Sequence, residues 1–291
     1  MSEERVIVGL GEILWDVFPE GAKFGGAPVN FAAHCAGLGT RVEMVGAVGD
    51  DDLGRRALNE LRQRHVGIDQ VAVMTQPTGT VNVTVDDRGH PEYVFASDTA
   101  WDNLEWNADL AELAQRALVV CYGTLGQRSP VSRRTIRNFV AATPKDALRI
   151  FDVNLRQDFY SDEIIRESLV LADVLKLNDA ELDAVAPSDE PDVLRRLRAL
   201  LDQFNLEMIV YTRGAQGALL VSDSGSVDYE GVSVPVRDTV GAGDAFTAVV
   251  AIGMLKGMGM PDIAAWASRV AGYVCTQAGG TPELPEQLLT Y

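Results

Sequence analysis

The chain has 291 residues, of which 47% are hydrophobic and 23% are charged, a balance typical of a globular protein with a large core. Its 25 Lys and Arg residues against 42 Asp and Glu residues give a net charge of −17, which opposes binding to nucleic acid and to anionic membranes. Apolar stretches such as residues 245–255 fall well short of the ~20 residues that a membrane span requires. The first residues contain no basic segment followed by an apolar one, so we expect a cytoplasmic protein.

The composition favours magnesium over zinc as the metal of this protein. Cys35, Cys121 and Cys275 are widely spaced and lie in apolar surroundings, which is typical of small core residues in a reducing compartment. The histidines share no metal-ligand spacing with the cysteines, so we expect no zinc site. Because an acidic surface repels ATP at a distance, a nucleotide site here needs local positive charge or a metal ion, and we expect magnesium.

Apolar runs rich in valine and isoleucine alternate with amphipathic helical patterns, which predicts a mostly parallel sheet covered by helices. The strand-like runs are residues 5–10, 41–48, 118–122, 149–152, 174–177, 208–211 and 218–221. The helical patterns are residues 30–37, 53–64, 129–142, 162–172, 179–185, 191–204, 243–256 and 261–277. The sequence therefore predicts an α/β fold, a three-layer α/β/α sandwich, as a single domain over residues 1–291.

One segment departs from this rhythm, because polar and apolar residues alternate over residues 78–93. A turn at residues 87–90 leads into a second alternating run at residues 93–95, which predicts a β-hairpin. Together with an early β segment, this hairpin around residues 78–98 would form a small flap or lid that excludes water during a transfer reaction. An edge extension without a chemical role, or a homodimer contact, fits the same pattern.

The segment at residues 238–244 reads DTVGAGD and opens directly onto an apolar helical run. Gly241, Ala242 and Gly243 leave backbone N–H groups uncovered at a helix N-terminus, where free donors and the positive end of the dipole favour a phosphate. A carboxylate repels the phosphate beside it, so we interpret Asp244 as the base that takes a proton from a hydroxyl nucleophile. A capped helix start would explain only one of the two aspartates, Asp238 and Asp244.

Two segments near the N-terminus indicate a pocket for a polyol. Asp16 follows apolar residues at a predicted strand end, where its carboxylate can accept hydrogen bonds from two sugar hydroxyls. Gly25 and Gly26 allow close approach of a ligand, and Asn30 in the first turn of the next helix can both donate and accept. Taken singly, these segments also fit a capped loop and a glycine turn.

Two common nucleotide motifs are absent from the sequence. Residues 9–14 read GLGEIL, which begins like a dinucleotide-binding fingerprint but has Leu14 where a third small residue belongs. No G-x-x-x-x-G-K-[ST] segment occurs, which excludes a Walker-type phosphate loop.

The segment at residues 25–32, GGAPVNFA, and the segment at residues 238–244 together resemble the two signatures of the ribokinase-like (PfkB-type) carbohydrate kinase family. Their order, their separation and the chain length fit that family, so the resemblance covers essentially the full chain. It implies an ATP-dependent sugar kinase in which Asp244 is the catalytic base and the amides of residues 241–243 stabilise the transferring phosphoryl group. The residues implied to bind the sugar are Asp16, Gly25, Gly26, Asn30, Tyr93, Phe95, Asn154, Arg156 and Asp244.

Three further segments match the family in the right order. Residues 178–181, NDAE, resemble the Asn-x-x-Glu motif that organises magnesium and phosphate, with Glu181 acting through metal-bound water. Residues 152–156, DVNLR, resemble the Asp-Pro-Asn-x-Arg segment except at Val153, and residues 212–217, TRGAQG, resemble the turn that supports the nucleotide. The residues implied to bind ATP are Asn178, Thr212, Arg213, Gly214, Gly217, Gly241 and Gly243.

The resemblance also implies a monovalent cation site, for K⁺, beside the phosphate-binding segment. Its ligands would be Asp238 and backbone carbonyls, including that of Val240 and those of the loop at residues 277–281.

Two segments resemble bacterial fructokinase-like members of the family more than ribokinases or adenosine kinases. They are residues 11–19, GEILWDVFP, and residues 100–102, AWD. We therefore expect ATP-dependent phosphorylation of a primary hydroxyl of fructose. A kinase for ribose, 2-keto-3-deoxygluconate or a nucleoside, and a catalytically silent sugar- or nucleotide-binding protein on the same fold, remain as alternatives.

Overall fold

The computed structural model describes residues 5–85 and 91–291. The turn predicted at residues 87–90 lies outside the described residues. Within the described part of the chain, no helix is long and apolar enough to cross a membrane.

Among the described residues, strands alternate with helices most regularly from β8 to β11. The strands are β1 (Val6–Leu10), β2 (Leu14–Phe18), β3 (Gly21–Gly25), β4 (Val42–Gly49), β5 (Val71–Met74), β6 (Gly79–Val85), β7 (Pro91–Phe95), β8 (Ala117–Tyr122), β9 (Leu148–Asp152), β10 (Val174–Asn178), β11 (Met208–Thr212), β12 (Ala218–Ser222) and β13 (Gly225–Tyr229). The α-helices are α1 (Ala27–Gly37), α2 (Asp52–Gln63), α3 (Ala108–Gln115), α4 (Pro130–Ala142), α5 (Asp162–Leu171), α6 (Leu182–Val185), α7 (Val193–Phe204), α8 (Ala242–Leu255) and α9 (Met260–Cys275).

The large sheet has nine strands in the order β13-β12-β11-β10-β9-β8-β1-β4-β5. Neighbouring strands from β11 to β5 are parallel, and β12 pairs antiparallel with both β11 and β13. Strands such as β1 and β4 are buried along their whole length, as expected for a parallel sheet covered on both faces. The carboxyl ends of these parallel strands therefore share one edge.

Helices cover both faces of the large sheet and give it two cores. Helices α1, α2, α8 and α9 pack on one face, around side chains such as Phe31, Met44 and Trp266. Helices α3, α4, α5 and α7 pack on the other face, around side chains such as Phe139 and Leu197. This arrangement confirms the predicted three-layer α/β/α fold.

A second, smaller sheet has the order β3-β2-β6-β7 and is called the small sheet below. Its β6 and β7 form the predicted hairpin, and the early strands β2 and β3 complete it. Along β6, Val81 and Val83 are buried whereas Asn82 is exposed, as the alternating pattern predicts. A compact cluster of Leu14, Val81, Trp101 and Leu125 forms a third core beneath it.

Several boundaries differ from the sequence prediction. Helix α1 begins at Ala27 rather than at residue 30, because Pro28 in the first turn has the backbone angle that a helix start requires. Helix α6 begins at Leu182 rather than at residue 179. The sequence reading missed β5, β13 and α3, which are short or partly exposed and so carry weak periodicity.

Candidate active site

A cavity of about 650 Å³ lies between the small sheet and the carboxyl ends of the central strands. Residues from the small sheet, from the loop after β9 and from the start of α8 line it, so distant parts of the sequence meet there. The predicted site residues in its lining are Asp16, Gly25, Gly26, Asn30, Tyr93, Phe95, Asn154, Arg156, Asn178, Val240, Gly241, Gly243 and Asp244.

The two sequence signatures touch at the centre of this cavity. The Asn30 side-chain N–H donates to Asp244 Oδ2 at 2.8 Å, and both residues line the cavity. Asn30 lies in the first turn of α1, and Asp244 lies in the first turn of α8. The hydrogen bond therefore joins the segment predicted to bind a polyol to the segment predicted to bind an anion.

Asp244 is a buried carboxyl whose pKa is raised to about 6. Burial is the main cause, and the nearby negative charge of Asp152 adds to it, whereas Lys176, the Asn30 hydrogen bond and Arg156 oppose the rise. A carboxyl with such a pKa is ionised at neutral pH, yet it is a stronger base than an ordinary surface aspartate. This environment suits the predicted removal of a proton from a hydroxyl group.

The backbone at the start of α8 is the segment for which the sequence predicts anion binding, and that role stays a prediction. Gly241 is the N-cap of α8, with φ 78° in the left-handed region. A Cβ at this position would overlap the carbonyl oxygen of Gly280, so only glycine fits. The carboxylate of Asp238 accepts N–H groups from Val240 and Gly279, which ties the segment to the C-terminal loop. The monovalent cation site at Asp238 and Val240 stays a prediction.

Asp16 occupies a different place from the one predicted. It lies in the middle of β2 in the small sheet, not at the end of a strand of the large sheet, because residues 14–18 form a separate strand after the turn at Gly11. The Asp16 carboxylate still lines the cavity, and burial raises its pKa against the opposing charges of Arg156 and Lys23. Its Oδ2 lies 3.3 Å from the position that a Cβ on Gly25 would take, which explains the need for a small residue there.

The loop after β9 brings Asn154 and Arg156 under the small sheet. Asn154 has φ 43° and Gln157 has φ 44°, left-handed values that cost energy for residues other than glycine. Gln157 donates its side-chain N–H to the backbone oxygen of Tyr93, and Phe159 packs edge-on against Phe95 with ring centroids 5.3 Å apart. These contacts join the loop to β7 and hold Arg156 in the cavity wall.

Glu181 acts as an anchor for two loops in this structure. Its Oε2 accepts the N–H of Asn178 at 2.8 Å, and its Oε1 accepts the N–H of Leu155 at 3.0 Å. The carboxylate is buried and does not line the cavity, so a role at magnesium through water stays a prediction. The described residues contain no cluster of three His, Cys, Asp or Glu side chains that could hold a metal.

The turn that follows β11 is not part of the cavity lining. Thr212, Gly214 and Gly217 lie outside it, and the Arg213 guanidinium pairs with Asp228 across the edge of the sheet. Contacts between this turn and a nucleotide stay predictions.

Sequence reasoning missed three buried charged residues at the site: Glu12, Asp152 and Lys176. Lys176 donates to Asp152 Oδ1 at 2.9 Å, and Glu12 lines the cavity with an Oε2 for which the described part of the chain offers no hydrogen-bond partner. A charged residue inside or directly after an apolar strand was the signal that could have identified each of them.

The three-layer fold, with a second small sheet beside a polar cavity, is that of the ribokinase-like kinases. The model of the pfkB family carbohydrate kinases matches residues 20–287, and this chain belongs to that family.

Curated and solved relatives agree with this assignment. A protein of Pyrococcus horikoshii described as a sugar kinase is 28% identical over 278 residues, which cover 92% of this chain and 86% of that protein. Its crystal structure in complex with ATP has a TM-score of 0.80 at 25% identity, covering 95% of this chain and 94% of that one. A fructokinase of Salmonella typhimurium is 30% identical over 265 residues, covering 87% of this chain and 85% of that enzyme.

A structure from E. coli, provisionally assigned as a ribokinase II and solved with ATP and Mg²⁺, has a TM-score of 0.82 at 20% identity. It covers 96% of this chain and 94% of that one, and it shows the shared fold.

Proposed function

We propose that this carbohydrate kinase transfers the γ-phosphoryl group of ATP to a primary hydroxyl of fructose. The hydrogen bond between Asn30 and Asp244 carries the proposal, because it joins the polyol side of the cavity to the anion-binding start of α8. The named fructokinase among the relatives and the fructokinase-like segment at residues 11–19 support fructose as the acceptor.

The proposed reaction uses few groups. The sugar hydroxyl oxygen attacks the γ-phosphorus while Asp244 accepts the hydroxyl proton, and the bond from the γ-phosphorus to the bridging oxygen breaks to release ADP. The backbone amides of residues 241–244 stabilise charge on the transferring oxygens. Magnesium, when bound with ATP, neutralises phosphate charge. Asp16 and Asn154 hold the sugar, and Tyr93 and Phe95 of the small sheet exclude water.

A kinase for a sugar acid such as 2-keto-3-deoxygluconate is the second candidate. Arg156 favours it, because this cation lines the sugar side of the cavity and none of the described carboxylates forms an ion pair with it. An ADP-release screen over fructose, 2-keto-3-deoxygluconate, ribose and adenosine decides between these acceptors. Turnover of fructose with the highest kcat/KM supports the proposal, and preference for the sugar acid replaces it with the second candidate.

Replacing the proposed base tests the mechanism. The change Asp244→Asn keeps the shape and the hydrogen bond to Asn30 but cannot accept the proton, so kcat falls by roughly 10²- to 10⁴-fold. Steady-state kinetics and calorimetric titration with fructose measure the change, and sugar binding stays within a few-fold. Asp202→Asn, at an exposed position on α7, is the matched control and keeps full activity. A near-normal kcat in Asp244→Asn refutes the assignment of the base.

A further inference from the structure

Lys176 is a buried cation in the wall of the proposed active site. It lies in the middle of β10, where its side chain is 8% exposed and its Nζ donates to Asp152 Oδ1 at 2.9 Å. Lys176 and Asp152 are register partners on the neighbouring parallel strands β10 and β9. Lysine is almost never so completely buried without a partner or a function.

The ammonium group faces several carboxylates. Burial alone would lower the pKa of Lys176, but the charges of Asp152, Glu181 and Asp244 outweigh burial and raise that pKa. The group is therefore positively charged at neutral pH. Among the described residues, the hydrogen bond to Asp152 accounts for one of its three donors.

The ammonium group of Lys176 lies close to the start of α8. Its Nζ lies 3.2 Å from the place that a Cβ on Gly243 would occupy, so the ammonium group rests against the anion-binding backbone. Both Lys176 and Gly243 line the cavity. The absence of a side chain at Gly243 leaves open the space between the ammonium group and this backbone.

Asp152 and Thr247 hold the lysine in this place. Asp152 Oδ1 accepts from Lys176, and Asp152 Oδ2 accepts from the Thr247 hydroxyl at 3.0 Å. The Thr247 hydroxyl also lies 3.0 Å from the carbonyl oxygen of Gly243. The network therefore links the side chain of β10 to the first turn of α8 without using up the remaining donors of the ammonium group.

We propose that Lys176 is a catalytic residue, which donates hydrogen bonds to the oxygens of the transferring phosphoryl group and completes the anion-binding start of α8. The inference deepens the function proposed above, since it adds a role in the same transfer reaction. A fixed ammonium group in a buried site stabilises charge that is spread over the phosphoryl oxygens far better than a solvated one does. The alternative role is structural, in which Lys176 only neutralises Asp152.

Three variants separate the two roles: Lys176→Met, Asp152→Asn, and the double variant that combines them. The single change Lys176→Met leaves Asp152 buried without its cation, whereas the double variant removes both charges. A catalytic Lys176 predicts a kcat lowered by about 10²- to 10³-fold in Lys176→Met, and no recovery in the double variant. A purely structural Lys176 predicts recovery of kcat to within a few-fold of the Asp152→Asn variant. Measurement on the pH plateau of each variant removes effects of altered proton uptake at Asp244.

A transition-state mimic gives a readout that a structural role would not change. With fructose present, ADP and aluminium fluoride imitate the transferring group, and Lys176→Met and the double variant should both bind this combination at least 30-fold more weakly. Their affinity for ADP alone should stay within about threefold, because the lysine contacts the group that ADP lacks. Equal losses for both ligands, or no loss, overturn the proposal.

Controls keep the outcomes distinct. Lys256→Met removes a lysine at the other end of α8, where it packs over Trp266, and should leave kcat unchanged.

Thermal unfolding shows whether each variant is folded. If Lys176→Met does not fold, the double variant provides the test, because it buries no unpaired charge. If Asp244→Asn loses activity but the double variant is active, only the role of Lys176 fails. If Asp244→Asn stays active, the proposed mechanism fails as a whole.

Discussion

Glu12 shows how strongly a single buried carboxyl can respond to its surroundings. It lies two residues after β1, and its Oε1 accepts the N–H of Ala27 at 3.3 Å while its Oε2 has no hydrogen-bond partner among the described residues. Burial is the main cause that raises its pKa from 4.5 to about 7, against the opposing effect of backbone hydrogen bonds and of Arg156, while Asp244 adds to the rise. The folded protein therefore binds a proton at Glu12 over a pH range in which the unfolded chain has lost it.

This raised pKa predicts a pH dependence of stability with a definite sign. Between pH 4.5 and about 7 the folded state holds the extra proton, so the free energy of unfolding falls as pH rises through this window. The contribution of Glu12 to that fall is on the order of 3 kcal/mol. The side chain in Glu12→Gln cannot titrate. The free energy of unfolding of this variant should therefore fall less between pH 5 and pH 8 than that of the unchanged protein, by about that amount. Urea unfolding at the two pH values measures the difference, and equal declines would contradict the prediction.

Helix α1 and the C-terminal loop together support the anion-binding segment. His34 Nε2 lies 2.9 Å from the carbonyl oxygen of Gly280, and burial, opposed by this hydrogen bond, lowers the pKa of His34 to about 4. The imidazole is therefore neutral, and its N–H donates to that carbonyl. The same carbonyl lies against Gly241, so α1 positions the loop that covers the start of α8.

This packing makes a prediction for Gly241→Ala. The new methyl group would overlap the Gly280 carbonyl in a left-handed backbone, so the segment must move and kcat should fall at least tenfold. Gly257→Ala is the matched control, because Gly257 has φ 66° but no atom within 4 Å of the added carbon. The control should lose about 1 kcal/mol of stability through its backbone and keep its kcat. Equal kcat values in the two variants would show that the position of the Gly280 loop does not matter for transfer.

The layered fold could be predicted from the sequence because each strand and helix has its own local pattern of apolar residues. Apolar runs and amphipathic helices alternate along the chain, and glycine-rich segments mark the phosphate and sugar sides of the site. Lys176 could not be assigned in this way, because its partner Asp152 is 24 residues away and only the parallel register of β9 and β10 brings them together. The position of Asp16 was predicted wrongly for a related reason. Composition alone does not show whether residues 14–18 form a strand of a second sheet or follow the end of a strand in the large sheet.

At the scale of the whole molecule, the small sheet packs on a separate hydrophobic cluster and covers one side of the cavity. The side chains beneath it form a cluster separate from the two cores of the large sheet. At one end, Arg128 pairs with the buried Asp102 and donates to the carbonyl oxygen of Ala96, which directly follows β7. Beside this attachment, the contact of Phe95 with Phe159 ties β7 to the loop that carries Arg156, and the Arg128 guanidinium lies over the Phe159 ring.

These attachments predict that the small sheet closes over the sugar as a lid and that Phe159 controls its docking. Phe159→Ala removes the edge-on contact with Phe95, so the KM for the sugar should rise about 3- to 10-fold, since such an aromatic pair contributes ~1 kcal/mol. The KM for ATP should change little, because the start of α8 is untouched. Phe18→Ala is the matched control, an aromatic truncation at the far end of β2 and outside the cavity lining.

Hydrogen exchange supplies the decisive measurement for this lid. Because a closed lid excludes water from its backbone, fructose should slow exchange at residues 79–85 and 91–95, while exchange in β8 and β1 stays unchanged. The slowing should be weaker in Phe159→Ala and preserved in Phe18→Ala. Equal protection of the small sheet with and without sugar would show that it is a fixed extension of the fold. In that case the water-excluding role would rest on side chains such as Tyr93 alone, and Phe159→Ala would leave the KM for the sugar unchanged.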